Sequence, residues 1–436
     1  MIARMSATAA SPPSDLLPEV RRDYLAYLAA LGPLGLGTLL TLPILTRELG
    51  AQDLGVLALV EAVMTPAVTL GMMGMKFAYL YRHARASADE ALALLKTATF
   101  ITLGLSLLFG LLAAGLITAL SWQAGALPPV EAPLAAASRA CLVILTIISG
   151  NAAAMLMTQL RAQRAIRATA WASYAQMAVG FASCWWFLTG LGWGIDGFLL
   201  SQILGNAVAT GITLAQIGLR TFSAATPAAG AGEARALLRY GWPLTLGLVV
   251  RYGMDSLSRI FLGLVVSLEA AGDWLMVSRV LALFEILVAN PFFMAWGAHV
   301  HVALQRADRG EAITRVTRWC VALSLASAMV LMLAHQPLLR IMAGHWRPDL
   351  AWLCTLLLLA KWIPVVKSPL CAGINADGRT DWAWKNNLQA LAVFAASAWP
   401  LGLWAGAEGI AGAMALAGAV STWTLYRASR RAMAPV

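Results

Sequence analysis

Charge is what this sequence has little of. Of its 436 residues, 12% are Asp, Glu, Lys or Arg and 60% are hydrophobic, against roughly 25% charged residues in an ordinary soluble domain. With a mean hydropathy of +0.73, the chain has too little polar surface to cover a globule in water, which makes it an integral membrane protein. Cysteine is scarce too. The five (Cys141, Cys184, Cys320, Cys354, Cys371) lie in or beside apolar stretches with no C-x-x-C pair, so no disulfide framework or zinc pattern emerges. No P-loop occurs, and His299-x-His301 lacks a carboxylate or thiol at metal-ligand spacing. The chain therefore carries no sign of an enzyme, a metal or a cofactor. Residues 1–20 bring Ser, Pro and acidic residues ahead of any apolar run, unlike a cleaved signal peptide. The net charge of +10 does not point to nucleic acid, because its cations are sorted by side of the membrane.

What is present is apolar and long. A spanning helix needs about 20 mainly apolar residues, and twelve stretches qualify: 24–46, 54–75, 97–120, 140–159, 170–191, 197–218, 240–266, 272–298, 317–334, 350–372, 382–404 and 408–426. Period-two alternation is missing, so the expected class is an all-α polytopic bundle of twelve transmembrane helices. With the N-terminus placed in the cytoplasm, Lys and Arg divide 22 to 4 between the loops of that side and those of the other, with five more inside spans. That bias orients both termini inward. Basic segments such as "KFAYLYRHARASADEALALLK" (76–96) read as short amphipathic helices on the anionic inner leaflet. Tryptophans near span ends, among them Trp122, Trp193, Trp274, Trp319, Trp352 and Trp404, read as the interfacial belt.

The Ala/Gly/Pro-rich stretch "LRTFSAATPAAGAGEARALL" (219–238) follows six spans and sits near the middle of the chain. It suggests a cytoplasmic tail (1–23), a six-helix lobe (24–218), a cytoplasmic linker (219–238), a second six-helix lobe (239–426) and a final tail (427–436). Two echoes support an internal duplication. "GAQDLGVLALV" (50–60) matches "SLEAAGDWLMV" (267–277), placing Gly55 on Gly272, and "GIDG" (194–197) matches "GIAG" (409–412), at offsets of 217 and 215. Two pseudo-symmetric bundles related by an axis along the membrane normal suit a transporter that rocks around a central cavity.

The segments "LPILTRELGAQDLGVLALVEAV" (42–63) and "RYGWPLTLGLVVRYGMDSLSRIFLGLVVSLEAAGDWLMVSRVLALF" (239–284) resemble the oligosaccharide flippases. These form the polysaccharide-transport branch of the multidrug/oligosaccharidyl-lipid/polysaccharide (MOP) exporter superfamily. The resemblance implies two six-helix lobes around a V-shaped cavity in a bacterial inner membrane. It also implies translocation of an undecaprenyl-pyrophosphate-linked oligosaccharide, with a polysaccharide polymerase and a chain-length regulator as partners. The chain departs from many relatives in carrying Ser258 before Arg259, with its Asp at 255, and in reading "VSLEAAG" where the first half reads "LGAQDLG".

Eight charges fall inside the spans: Glu61, Arg251, Asp255, Arg259, Arg279, Glu285, Lys361 and Lys367. Each costs about 2.5–3.5 kcal/mol at mid-bilayer on insertion scales, so such residues face a cavity or a partner. Arg251, Asp255 and Arg259 lie four apart on one helical stripe, with Asp255 in reach of both arginines. They form either a packing network or, with Lys361, a cationic wall for a pyrophosphate, which the planar Arg fork binds through paired hydrogen bonds. Arg279 either meets phosphate near the exit or snorkels outward, while Lys367 is expected to snorkel to the cytoplasmic interface. Glu61 and Glu285 either neutralise cations or carry H⁺ or Na⁺ for coupling. Five cations against three anions favour an anionic headgroup. A drug exporter of the same superfamily, or a non-transporting scaffold in a glycan-assembly complex, are the rival readings.

Overall fold

In lipid a backbone amide has no water to bond, so each long apolar run closes its hydrogen bonds within a helix. The computed structural model describes residues 16–83, 86–123, 132–163, 165–224, 231–305, 308–343, 347–372 and 381–433, and every regular element among these is helical. The first half of the chain holds α1 (Leu16–Leu40), α2 (Leu42–Glu48), α3 (Ala51–Met72), α4 (Met75–His83), α5 (Ala88–Gln123), α6 (Ala132–Ala162), α7 (Ile166–Trp185), α8 (Gly194–Ile217) and α9 (Leu219–Ala224). The second holds α10 (Ala231–Phe261), α11 (Leu268–Phe284), α12 (Asn290–Gln305), α13 (Arg309–Ala343), α14 (Ala351–Leu370) and α15 (Asp381–Met433). Residues 1–15 of the expected tail, 225–230 of the expected linker and 434–436 at the end lie outside the described residues.

All twelve expected spans fall on helix, and eight described stretches are long and apolar enough to cross a membrane. The last helix shows how the count accommodates twelve. At 1.5 Å per residue, a straight 53-residue helix would run about 80 Å, more than twice the roughly 30 Å hydrocarbon core. The chain instead breaks at Ala405 (φ −130°) and Gly406 (φ 56°). It folds back so far that the Asn386 carboxamide meets Ser421 and Thr424. The 272–298 span is also not one rod: α11 passes through a π turn (Glu285–Ala289) into α12, whose second residue is Pro291. Tyr24 Oη of α1 donates to the Leu287 carbonyl within that turn (2.8 Å).

The two halves meet along α3, which packs on α11 and α10, while α1 packs on α12. At this seam the two echo glycines face each other. A Cβ on Gly55 would lie 2.0 Å from the Leu268 carbonyl oxygen, and one on Gly272 would lie 3.1 Å from the Ala51 oxygen and the Gly55 nitrogen. Bare backbone is what lets helices approach so closely in a membrane. The surface away from the seam is apolar: Leu107, Leu108, Leu111 and Leu112 of α5 and Met329, Val330 and Leu333 of α13 are exposed to the acyl chains.

Three expectations need correction. Trp352 and Trp404 are exposed at span ends, as a belt requires, but Trp274 is fully buried and Trp319 packs edge-on against Tyr24 at 5.4 Å. A buried indole needs a hydrogen-bond acceptor, and Trp274 has one, described below. The 76–96 segment does not lie wholly on a surface: its first residues form the short helix α4, where Ala78 and Tyr79 are buried, and its last belong to α5. Lys367 does not reach outward. Its Nζ lies 2.6 Å from Ser421 Oγ, inside the helix packing.

The seam yields a first prediction. Gly55→Val should lower the detergent-solubilised melting temperature by several degrees, since overpacking costs about 1–3 kcal/mol. Gly104→Val, which meets nothing within 4 Å, should melt with wild type. Fluorescence-detected thermal stability measures both.

Candidate functional site

Between the halves lies a cavity of about 1010 Å³, lined from both. The expected residues Glu61, Arg251, Asp255, Arg259, Arg279, Glu285 and Lys361 all line it. They arrive from four elements: Glu61 from α3, the arginine–aspartate stripe from α10, Arg279 and Glu285 from α11 and its π turn, and Lys361 from α14. Arg251 and Arg259 stand eight residues apart, about 12 Å along the helix axis.

The charges form a relay. Asp255 pairs with Arg259 one turn on; Arg259 Nη1 lies 3.7 Å from Glu61 Oε2; and Glu61 accepts from Arg279. Trp274 Nε1 donates to the other Asp255 oxygen (3.1 Å), which is why this tryptophan is buried rather than interfacial. The relay thus binds α10 to α3 and α3 to α11, across the seam between halves. Arg279 is 9% exposed; it lies over the Phe198 ring at 5.5 Å and does not snorkel outward. Arg259 Nε and Arg279 Nη1 are buried with no hydrogen-bond partner. Farther along the wall, Lys361 Nζ lies 2.5 Å from Glu285 Oε1.

Arg251 differs from the expectation. Asp255 does not bridge it to Arg259; the Arg251 guanidinium lies over the Phe293 ring at 5.7 Å instead. Among the described residues no carboxylate pairs with it. Sequence reasoning also missed two cations of the same cavity, Lys76 and Arg161. Lys76 follows the tight turn at Met73 and Gly74 (φ 41° and 65°) that starts α4 beneath α3. Arg161 lies on α6, which runs past its expected end. It stands four and eleven residues beyond Met157 and Gly150, so it shares their cavity face. That spacing was the available signal. Among the described residues the cavity therefore holds six cations (Lys76, Arg161, Arg251, Arg259, Arg279, Lys361) against three carboxylates (Glu61, Asp255, Glu285), an excess of three.

The opposite wall, made by α6, α7 and α8, differs in chemistry. Apart from Arg161 it carries no charge among the described lining residues. Its polar groups are amides and hydroxyls: Gln176 Nε2 donates to Asn206 Oδ1 (2.7 Å), and Asn206 Nδ2 donates to Ser149 Oγ (3.2 Å).

A sequence model of the family described as "Polysaccharide biosynthesis protein" matches residues 27–296. No curated protein matches by sequence. Among solved structures, the chain resembles a multidrug-resistance MATE family transporter of the MOP superfamily in an inward-facing conformation. That likeness has a TM-score of 0.70 and 15% identity, over 91% of this chain and 94% of the other. It also resembles the lipid II flippase MurJ in an inward closed conformation, with a TM-score of 0.71 and 12% identity over 93% and 87%. A third likeness is the Vibrio cholerae MATE transporter VcmN, with a TM-score of 0.62 and 14% identity over 96% and 97%. At these identities the likeness speaks for fold, and the fold is that of the MOP exporters.

The relay makes a double-mutant prediction. Glu61→Gln and Arg279→Met should each lower thermal stability, because each strands a buried charge, a loss of about 3–5 kcal/mol in buried pairs. The double variant should lose less than the sum of the two, with a coupling of about 0.5–3 kcal/mol. Melting of all four proteins in one detergent measures it.

Proposed function

Since this chain belongs to the polysaccharide biosynthesis protein family, we propose that it is a flippase for a polyprenyl-pyrophosphate-linked oligosaccharide. It works by alternating access in a bacterial cytoplasmic membrane, and the side rich in Lys and Arg faces the cytoplasm. One observation carries the reading: a membrane-embedded cavity in which six cations outnumber three carboxylates. A diphosphate brings the missing negative charge. Arginine suits it, because the guanidinium stays charged when desolvated and offers a planar fork of donors to phosphate oxygens.

Roles follow from pairing. Arg251, with no carboxylate partner among the described residues, is the primary phosphate ligand; Lys361 and the unbonded N–H groups of Arg259 and Arg279 add to the grip. Asp255 holds Arg259 in place, and Trp274 holds Asp255. Glu61 and Glu285 balance cations in the resting cavity. When a phosphate takes over their cations, either carboxylate becomes available to H⁺ or Na⁺, which would couple transport to an ion gradient. The exported product would pass to a polymerase and a chain-length regulator. The rival reading, a drug exporter for lipophilic cations, needs a carboxylate free to meet its cargo. Here all three cavity carboxylates are already ion-paired.

Depletion of the protein should leave lipid-linked oligosaccharide on the inner leaflet and remove surface glycan. Arg251→Ala should reproduce the defect at normal protein level, since that side chain carries no ion pair to lose. The Arg251→Ala/Arg259→Ala pair should abolish export outright. Surface glycan on cells carrying the pair, with the protein present in the membrane, sinks the assignment. Dye resistance conferred on a sensitised strain would favour the drug exporter.

A further inference from the structure

The flippase reading explains the charged wall of the cavity and leaves the opposite wall without a role. That wall is built from residues three and four apart on α6, α7 and α8, so whole helical faces are committed to it. We infer that this face, uncharged apart from Arg161, is a glycan-reading subsite, which holds the sugars nearest the diphosphate while the second half of the chain holds the phosphates. The inference rests on the flippase reading and adds to it a location and a chemistry for substrate selection.

The groups present suit hydroxyl-bearing sugars. A carboxamide both donates and accepts, as a sugar hydroxyl does, whereas guanidinium and ammonium groups only donate. Gln176, Gln202 and Asn206 supply three carboxamides to the cavity. Two are pre-oriented: the Gln176–Asn206–Ser149 chain fixes their planes. That chain exists because Gly205 lets α8 touch α7, where a Cβ would lie 2.8 Å from the Gln176 carbonyl oxygen. Gln202 is free for a ligand, since its carboxamide forms no hydrogen bond among the described residues and still faces the cavity. Phe181, one residue after Gly180 on α7, adds an apolar ring at the same wall, a surface for the C–H face of a pyranose.

The absence of carboxylate on these three faces sets the class of sugar. No described group there would neutralise a charged amine, so the inner sugars carry no amino cation, and an N-acetyl group meets the same carboxamides. The cavity, at about 1010 Å³, is at the upper end of the range of about 300–1,000 Å³ for small-molecule sites. A diphosphate with its first sugars fits; a whole polymer does not.

The test uses the full-length protein in lipid nanodiscs and two probes. One is undecaprenyl diphosphate without sugar; the other is the lipid-linked oligosaccharide extracted from cells depleted of the protein. Wild type should bind the glycosylated lipid about tenfold more tightly, the equivalent of one or two net hydrogen bonds. Gln202→Ala should erase most of that preference while leaving affinity for the bare lipid unchanged, and Gln176→Ala/Gln202→Ala should erase it fully. Arg251→Ala should weaken both lipids alike. Gln202 has no hydrogen bond to lose among the described residues, so its variant tests recognition without disturbing the fold, and melting temperatures verify this. Retained preference in the double variant, an equal loss for both lipids, or a wild type that does not discriminate would overturn the subsite. Binding of neither lipid to wild type would overturn the flippase reading, and the subsite with it.

Discussion

An ionised side chain in the middle of a bilayer must find an opposite charge or water, and Asp255, Arg259, Glu61 and Arg279 satisfy that demand through one another. Because their helices come from both halves of the chain, the relay does more than neutralise charge. It sets which helices line the cavity and keeps α3 against α10 and α11. It also occupies two of the three cavity carboxylates, as Lys361 occupies the third. The unmatched charge is therefore all positive and concentrated at Arg251, Lys76 and Arg161. The cationic excess of the cavity is a by-product of how its structural charges pair.

The fold is pseudo-symmetric, yet its chemistry is not. Each half places a polar triad between its last three spans. In the first half it is Ser149, Gln176 and Asn206; in the second it is Lys367, Asn386 and Ser421. Asn206 and Ser421 are separated by 215 positions, the same offset that relates "GIDG" to "GIAG". The corresponding places thus carry different chemistry, two carboxamides and a hydroxyl in the first half and a lysine, a carboxamide and a hydroxyl in the second.

Much of this was legible in the sequence, and the reason is specific. An arginine in a greasy run has few explanations, so the α10 stripe and Lys361 could be named before any coordinates. Their partners could not. Arg279 and Glu61 are 218 residues apart, and only the packing of the halves brings them together; nothing in spacing distinguishes that pair from Arg251 with Asp255. Lys76 and Arg161 were hidden by a counting rule that assigns cations near span ends to loops. The turn at Met73–Gly74 and the extra turn of α6 carry them into the cavity. Trp274 was assigned by its position near a span end, whereas its indole N–H is spent on Asp255.

The faint echo between residues 50–60 and 267–277 lies where the two halves of the chain touch. Gly55 and Gly272 sit at a close approach: a Cβ on Gly55 would strike the Leu268 backbone, and one on Gly272 would press on the backbone of Ala51 and Gly55. At Gly55 the clash leaves no room for a side chain, and at Gly272 the opposing backbone would have to give by a few tenths of an ångström. The contact thus calls for little or no side chain at both echo positions, whatever chemistry the rest of each half carries.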